Sequence, residues 1–216
     1  MTLQSHARFI TIEGGEGAGK STVLAALREF LLARGFEVVS TREPGGTPLA
    51  EQIRSLLLDT HHEPPAVETE LLLVFAARAQ HVREVIVPAL QRGAWVISDR
   101  FTDSSYAYQG AGRGLDAGFI ADLERRVVGI EPGITLLLDI GVAHGRERAR
   151  GRDLAPGASG PDRIEREHDH FFERVRDGFL ARAQAEPRRF RIIDATQSAE
   201  AVAAQALSHL RALADT

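Results

Sequence analysis

The run GGEGAGKS at Gly14–Ser21 constrains this chain more than any other feature. It satisfies the pattern G-x-x-x-x-G-K-[ST] and stands between a strand-like segment, RFITIE (Arg8–Glu13), and a segment with helical spacing that begins at Lys20. Those fixed positions match by accident in on the order of one chain in a hundred of this size, and the strand–turn–helix context lowers the chance further. The pattern describes an anion cradle. Successive backbone N–H groups curl around a phosphate only where glycines accept positive φ and place no Cβ in the way. The following helix aims the positive end of its dipole at the same point. Lys20 is then placed to reach the β- and γ-phosphates of a bound nucleotide, and the Ser21 hydroxyl to hold Mg²⁺.

The basic residues narrow the class of nucleotide protein. Of 26 lysines and arginines only Lys20 is a lysine, so the chain keeps one compact ammonium where a planar guanidinium does not serve. A guanine-reading N-K-x-D element is excluded, because no second lysine exists. The net charge of −4 disfavours the basic stripe of a nucleic-acid-tracking ATPase, and no nucleic-acid partner is expected. Phosphoryl transfer to a small acceptor remains, with the donor nucleotide's phosphates expected on Gly14, Gly15, Glu16, Gly17, Ala18, Gly19, Lys20, Ser21 and Thr22. The chain has no cysteine, no signal-peptide layout at MTLQSHARFITIEGG and no apolar run of membrane-spanning length. A cytoplasmic protein without a membrane partner is the expectation.

With 216 residues, 44% of them hydrophobic, the chain can bury one substantial core, and a single domain over 1–216 is expected. Short apolar runs at Arg8–Glu13, Glu37–Thr41, Ala94–Ser98, Ile134–Ile140 and Arg191–Asp194 read as strands. Helical patterns fall at Lys20–Arg34, Leu49–Leu58, Glu68–Leu90 with Pro88 near its end, Leu115–Val128, Val142–Arg150, Arg163–Ala185 and Ser198–Leu213. That alternation predicts an α/β fold, a parallel sheet covered on both faces. Gly151–Pro161 (GRDLAPGASGP) breaks the rhythm and leaves too little chain beyond it for a second domain. It reads as a mobile flap.

Three further constellations fall where strand ends should gather loops. The second strand leads into REPGG at Arg42–Gly46, the long helix carries Phe75 and Arg78 three residues apart on one face, and the third strand ends in SDRFTDSSYAYQG from Ser98. With FITIEGGEGAGKST, TREPGGT, FAARAQH and DRIE these resemble the signature set of bacterial thymidylate kinase. The resemblance runs from Phe9 to about Phe172 and returns at IDAT (Ile193–Thr196). It implies a P-loop NTPase-type three-layer fold with strand order 2-3-1-4-5, Mg·ATP as donor, dTMP as acceptor, a lid at about 146–163 and a homodimer.

The resemblance also implies residue roles. Phe75 would stack on the thymine ring and Arg78 bond a base carbonyl. Arg100 would grip the acceptor phosphate, and Asp99 would bind Mg²⁺ through water. Ser105 and Gln109 would meet base or sugar, and Tyr108 would wall off the 2′ position. Glu16 would meet the acceptor sugar or the metal shell, with Glu43 and Pro44 lining the acceptor side. The phosphate loop holds Glu16 and no arginine, which places the catalytic arginines in the lid, with Arg150 and Arg152 foremost and Arg148 and Arg163 as further members. Duller readings stand beside these. Phe75 could be core, Tyr106 is read as packing, Asp99–Arg100 could be a structural ion pair and Asp139 is a rival for the metal. His61, His62, His168 and His170 read as surface residues. Two other readings remain: a kinase for another small acceptor, and a nucleotide-gated binding module.

Overall fold

The computed structural model describes residues 3–61, 63–153 and 160–214. Its strands are β1 (Gln4–Gly14), β2 (Val38–Arg42), β3 (Trp95–Asp99), β4 (Ile130–Asp139) and β5 (Phe190–Asp194). All pair in parallel, in the order β2-β3-β1-β4-β5. The helices are α1 (Lys20–Leu32), α2 (Pro48–Leu58), α3 (Val67–His81), α4 (Val87–Gln91), α5 (Thr102–Ser105), α6 (Ala117–Leu123), α7 (Val142–Asp153), α8 (Asp169–Ala185) and α9 (Ala199–Ala214).

Composition explains the layering. The first four residues of β3 and the last six of β1 are all buried, as strands covered on both faces must be, while edge strands β2 and β5 alternate with exposed positions. One core joins Ile10, Ile12 and Leu136 to Val23 and Leu27 of α1 and Leu210 of α9. A second packs Phe9 and Val96 against Leu71 and Phe75 of α3. A third gathers Phe171, Val175 and Phe179 of α8 around Tyr108 and Leu137. This is the P-loop NTPase-type three-layer fold.

Register decides which strand ends meet. Ile12 and Arg42 both stand opposite Asp99, and Gly14 stands opposite Leu138. The phosphate loop, the Arg42–Glu43 turn and the Asp99–Arg100 turn therefore emerge side by side. At Gly14, with φ +139°, an added Cβ would run into the Leu138 carbonyl oxygen of the neighbouring strand. Gly14→Ala is expected to cost about 2 kcal/mol or more, seen as a lower midpoint in urea unfolding.

Several boundaries differ from the sequence reading. β1 and β4 are longer than expected, because Gln4–His6 pair with Ile130–Pro132 across an irregularity before Ile10. Pro132 and Gly133 are poor strand formers, so the apolar run that reads as a strand begins only at Ile134. Gly133 is needed there because a Cβ would meet the backbone of His6 and Ala7. The long helix continues past Pro88 to Gln91, through a π-type turn at Val82–Ile86. That turn shifts the hydrogen-bond register ahead of the proline, whose missing N–H would interrupt an α-helix. The helix expected from Arg163 starts at Asp169 instead. Residues 163–167 are held as a turn by the Asp162 carboxylate, which accepts the N–H groups of Ile164 and Glu165 at 2.9 Å each.

Candidate active site

The phosphate loop has the backbone its spelling requires. Gly14, Gly17 and Gly19 lie at positive φ, and Gly19 caps α1, whose first turn carries no acidic side chain to compete for its N–H groups. The Lys20 ammonium lies within the loop, donating to the Gly15 carbonyl at 2.9 Å and the Gly14 carbonyl at 3.3 Å. Burial and then the Arg100 charge draw its pKa down. An anion brought beside it offsets both effects by favouring the charged form.

Arg100 faces the same loop. It is the one non-glycine residue at positive φ among the described residues, at +70°. Its Nη1 donates to the Gly14 carbonyl at 3.0 Å and to Ser104 Oγ at 3.2 Å, while Nη2 donates to Glu16 and to the Tyr108 hydroxyl, both at 3.0 Å. The Asp103 carboxylate, fully buried, anchors the following segment through Arg189 at 2.6 and 2.9 Å and Arg182 at 3.1 Å. Asp99 Oδ1 is one of two buried side-chain polar atoms without a hydrogen bond among the described residues. An orphaned carboxylate oxygen on a residue that lines the same cavity as Ser21 fits a hydrated Mg²⁺ in charge and donor type.

Away from the loop, Arg78 is spread between three acceptors. Nε donates to Glu43 at 2.6 Å, Nη1 to Ser105 Oγ at 3.0 Å and Nη2 to the Phe101 carbonyl at 3.0 Å. Burial alone would raise the Glu43 pKa. The Arg78 charge and the His81 hydrogen bond at 2.9 Å outweigh it and hold the carboxyl below its ordinary value. His81 Nε2 takes Thr41 Oγ1 at 2.6 Å, so the turn after β2, α3 and the loop after β3 share one buried network. Gln109 donates to Glu70 at 2.9 Å.

Several of these groups line one cavity of about 540 Å³. Lys20, Ser21, Asp99 and Arg100 occupy its phosphate-loop side, and Glu43, Pro44, Val74, Arg78, Ser105, Tyr108 and Gln109 also face it. A second, smaller cavity meets Thr22 and Gly19 on one side and Arg148, Gln197 and Ala199 on the other.

A family model described as thymidylate kinase matches residues 12–206. The chain belongs to the thymidylate kinase family. It is 56% identical over 205 residues to the thymidylate kinase of Chromohalobacter salexigens, covering 94% of each chain. It is 56% identical over 192 residues to that of Teredinibacter turnerae, covering 88% of this chain and 90% of the other. The crystal structure of thymidylate kinase from Ehrlichia chaffeensis superposes with a TM-score of 0.75 at 34% identity, over 96% of this chain and 99% of that one. The chain is accordingly a nucleoside-monophosphate kinase, a phosphotransferase.

Family membership does not fix each residue's place, and the structure revises several. Phe75 is 2% exposed, sits in the core with Phe9 and Phe101, and does not line the cavity. Its ring lies under the Arg78 guanidinium, 4.7 Å from centroid to Cζ, so it supports Arg78 and is no platform for a base. Val74, one residue earlier on α3, faces the cavity instead. Asp139 is removed as a metal rival because Arg176 holds both its oxygens, at 2.7 and 2.8 Å. Arg163 is committed to the Glu70 carboxylate and to the Leu57 carbonyl, both at 2.7 Å and both belonging to cavity-lining residues, and does not itself line the cavity. Arg148 donates to the Ala195 carbonyl at 2.9 Å, and Arg150 is exposed beside Arg146 and Arg166. The side chain of Arg152, most of the Gly151–Pro161 flap and His62 lie outside the described residues.

Sequence reasoning missed Glu70, Arg54, Leu57 and Leu58 in the cavity wall, and the pairing of Arg148 with Ala195. Glu70 had a signal: a carboxylate on the apolar run ELLLVF that must find cations once buried. It finds Arg113 and Arg163.

Proposed function

We propose that the two ends of the main cavity divide the reaction, with ATP phosphates on the Gly14–Thr22 loop and thymidylate between Arg100 and Arg78. The reaction of this family is transfer of the γ-phosphoryl group of ATP to dTMP, giving dTDP and ADP. The observation that carries the assignment is continuity: Lys20, Ser21, Asp99, Arg100, Arg78 and Gln109 line one cavity. Arg78 and Ser105 face the base, Val74 and Leu57 give it an apolar wall in place of Phe75, and Tyr108 with Glu16 faces the sugar. Glu43 and Pro44 close the cavity on the β2 side.

The acceptor nucleophile is a phosphate oxygen that is already anionic near neutral pH, since a monoester's second pKa is about 6. No base has to remove a proton. The barrier is repulsion between two polyanions and charge spreading over the transferred group, so this chain's contribution is placed cations and exclusion of water. Lys20 meets the donor phosphates and Arg100 the acceptor phosphate. Arg150 and Arg152 of a lid at about 146–163 complete the set on closure, with Arg148 on the side of the donor base. Mg²⁺ would be held by Ser21 and, through water, by Asp99, where it supplies charge neutralisation of the β- and γ-phosphates. Asp99→Asn is expected to raise the Mg²⁺ concentration needed for half-maximal rate by about tenfold, read by titrating the metal at saturating nucleotide.

The proposed arrangement is one kinase domain acting in the cytoplasm. No helix among the described residues is long and apolar enough to cross a membrane. The proposed homodimer would bury a face on α2 and α3, a reading supported by Leu49, Leu56 and Leu72, each at least half exposed on these neighbouring helices. The deciding experiment is a coupled ADP-release assay with deoxythymidine, deoxyuridine and ribouridine monophosphates. Turnover fastest with the first supports the assignment, and equal or no turnover with all three removes it.

A further inference from the structure

We infer that Glu13 is a positioning residue for Arg100: from the end of the central strand it fixes the turn after β3 and so aims the guanidinium at the phosphate loop. The inference rests on the reading of Arg100 as the group that meets the acceptor phosphate. Glu13 is fully buried and does not line the cavity, so it does not touch substrate. A carboxyl in that place is unfavourable unless both oxygens are satisfied. Burial, and next the Asp103 charge, push it up to about 8.

What satisfies it is the Arg100 turn. Glu13 Oε1 accepts the Phe101 N–H at 2.7 Å, and Oε2 is hydrogen-bonded to Ser104 Oγ at 2.6 Å. The same Ser104 oxygen accepts Arg100 Nη1 at 3.2 Å. Glu13 therefore grips the backbone immediately after Arg100 and, through one hydroxyl, the guanidinium itself. The grip is needed because Arg100 sits at φ +70°, a conformation that a side chain with a Cβ keeps only when its surroundings impose it. Two other bonds hold that residue's own backbone: its N–H donates to the Ile12 carbonyl at 3.0 Å, and its carbonyl accepts Ser98 Oγ at 2.7 Å. Neither of those reaches the side chain. Glu13 also sits one residue before Gly14, whose carbonyl takes Arg100 Nη1 at 3.0 Å, so loop and arginine are set from a single strand end.

The test uses the full chain, with steady-state kinetics on ATP and thymidylate and calorimetric titration of Mg·ADP. Glu13→Ala is expected to lower kcat/KM for thymidylate by about 100-fold, the size of a misplaced catalytic group, while Mg·ADP affinity stays within about threefold. Glu13→Gln, which can accept from Phe101 N–H and donate to Ser104, should stay within about fivefold of the parent. Because Glu13 acts through Arg100, adding Glu13→Ala to Arg100→Ala should change kcat/KM by less than about twofold. Ser104→Ala is the milder companion should Glu13→Ala not fold, with an expected loss of about tenfold that disappears in the Arg100→Ala background. The inference is overturned by normal kinetics in Glu13→Ala or Ser104→Ala, by additivity with Arg100→Ala, or by equal losses of Mg·ADP affinity and kcat/KM. A parent chain inert toward thymidylate overturns the functional assignment as well; an active parent with an unaffected Glu13→Ala overturns this inference alone.

Discussion

Replacing Lys20 with alanine is expected to reduce kcat by about 10³-fold or more, the largest catalytic effect in the molecule. The ammonium is the one lysine of the chain, lies inside the phosphate loop and has a pKa lowered by burial and by Arg100. A group so placed gains most when negative charge develops beside it, and no neighbour can substitute. Lys20→Arg should recover less than about a tenth of the rate, because a planar guanidinium cannot occupy the space in which a point charge bonds two loop carbonyls. Single-turnover measurement at saturating ATP and thymidylate separates this from weakened binding. A Lys20→Ala protein with kcat near that of the parent would remove Lys20 from the chemistry.

The largest expected loss of stability comes from Arg78→Ala. Arg78 and Glu43 each retain only 2% of their side-chain exposure, and Glu43 keeps its charge because Arg78 and His81 face it. Deleting the guanidinium strands a buried carboxylate, at a cost of about 3–5 kcal/mol. The midpoint of thermal unfolding should fall by about 10 °C for a chain of this length. KM for thymidylate should rise at least about tenfold. The double variant Glu43→Gln, Arg78→Met removes both charges and should regain most of the stability but none of the affinity, which separates fold from recognition. The pH dependence has a definite sign. Glu43's folded pKa lies below its ordinary 4.5, so its contribution is complete above that value and is lost as pH falls through the lower folded value. Urea unfolding from pH 6 to pH 3 should show that acid limb in the parent and a weaker one in the double variant.

Much of this is legible in the sequence. The glycines of the phosphate loop, Lys20 and Ser21 stand out because their signal is local, a fixed spacing along eight residues, whereas the roles of Asp99 and Arg100 came from the resemblance, with Asp139 and a structural ion pair as rivals. The order of the sheet came from resemblance and the gathering of the three loops from the general geometry of parallel α/β sheets, and register then showed why they meet. Phe75 was misread because an aromatic residue on an apolar helix looks the same from sequence whether it faces a ligand or a core. Only packing against Phe9 and Phe101 decides. Arg163 was misread for a related reason. An arginine beside a glycine-rich flap looks free to swing, and its partner Glu70 lies 93 residues away. Asp139 and Asp99 end equally apolar strands, and what distinguishes them is that Arg176 reaches one and no hydrogen bond reaches Oδ1 of the other.

By itself the sequence determined the anion cradle, the alternation of strands and helices and the family, since each depends on short-range backbone geometry or on residue identity in order along the chain. Tertiary structure alone decided which buried charges are spent on one another and which are left to face the cavity. That outcome is set by burial and by partners distant in sequence, the two quantities that fix the free energy of a charge and that no local pattern encodes.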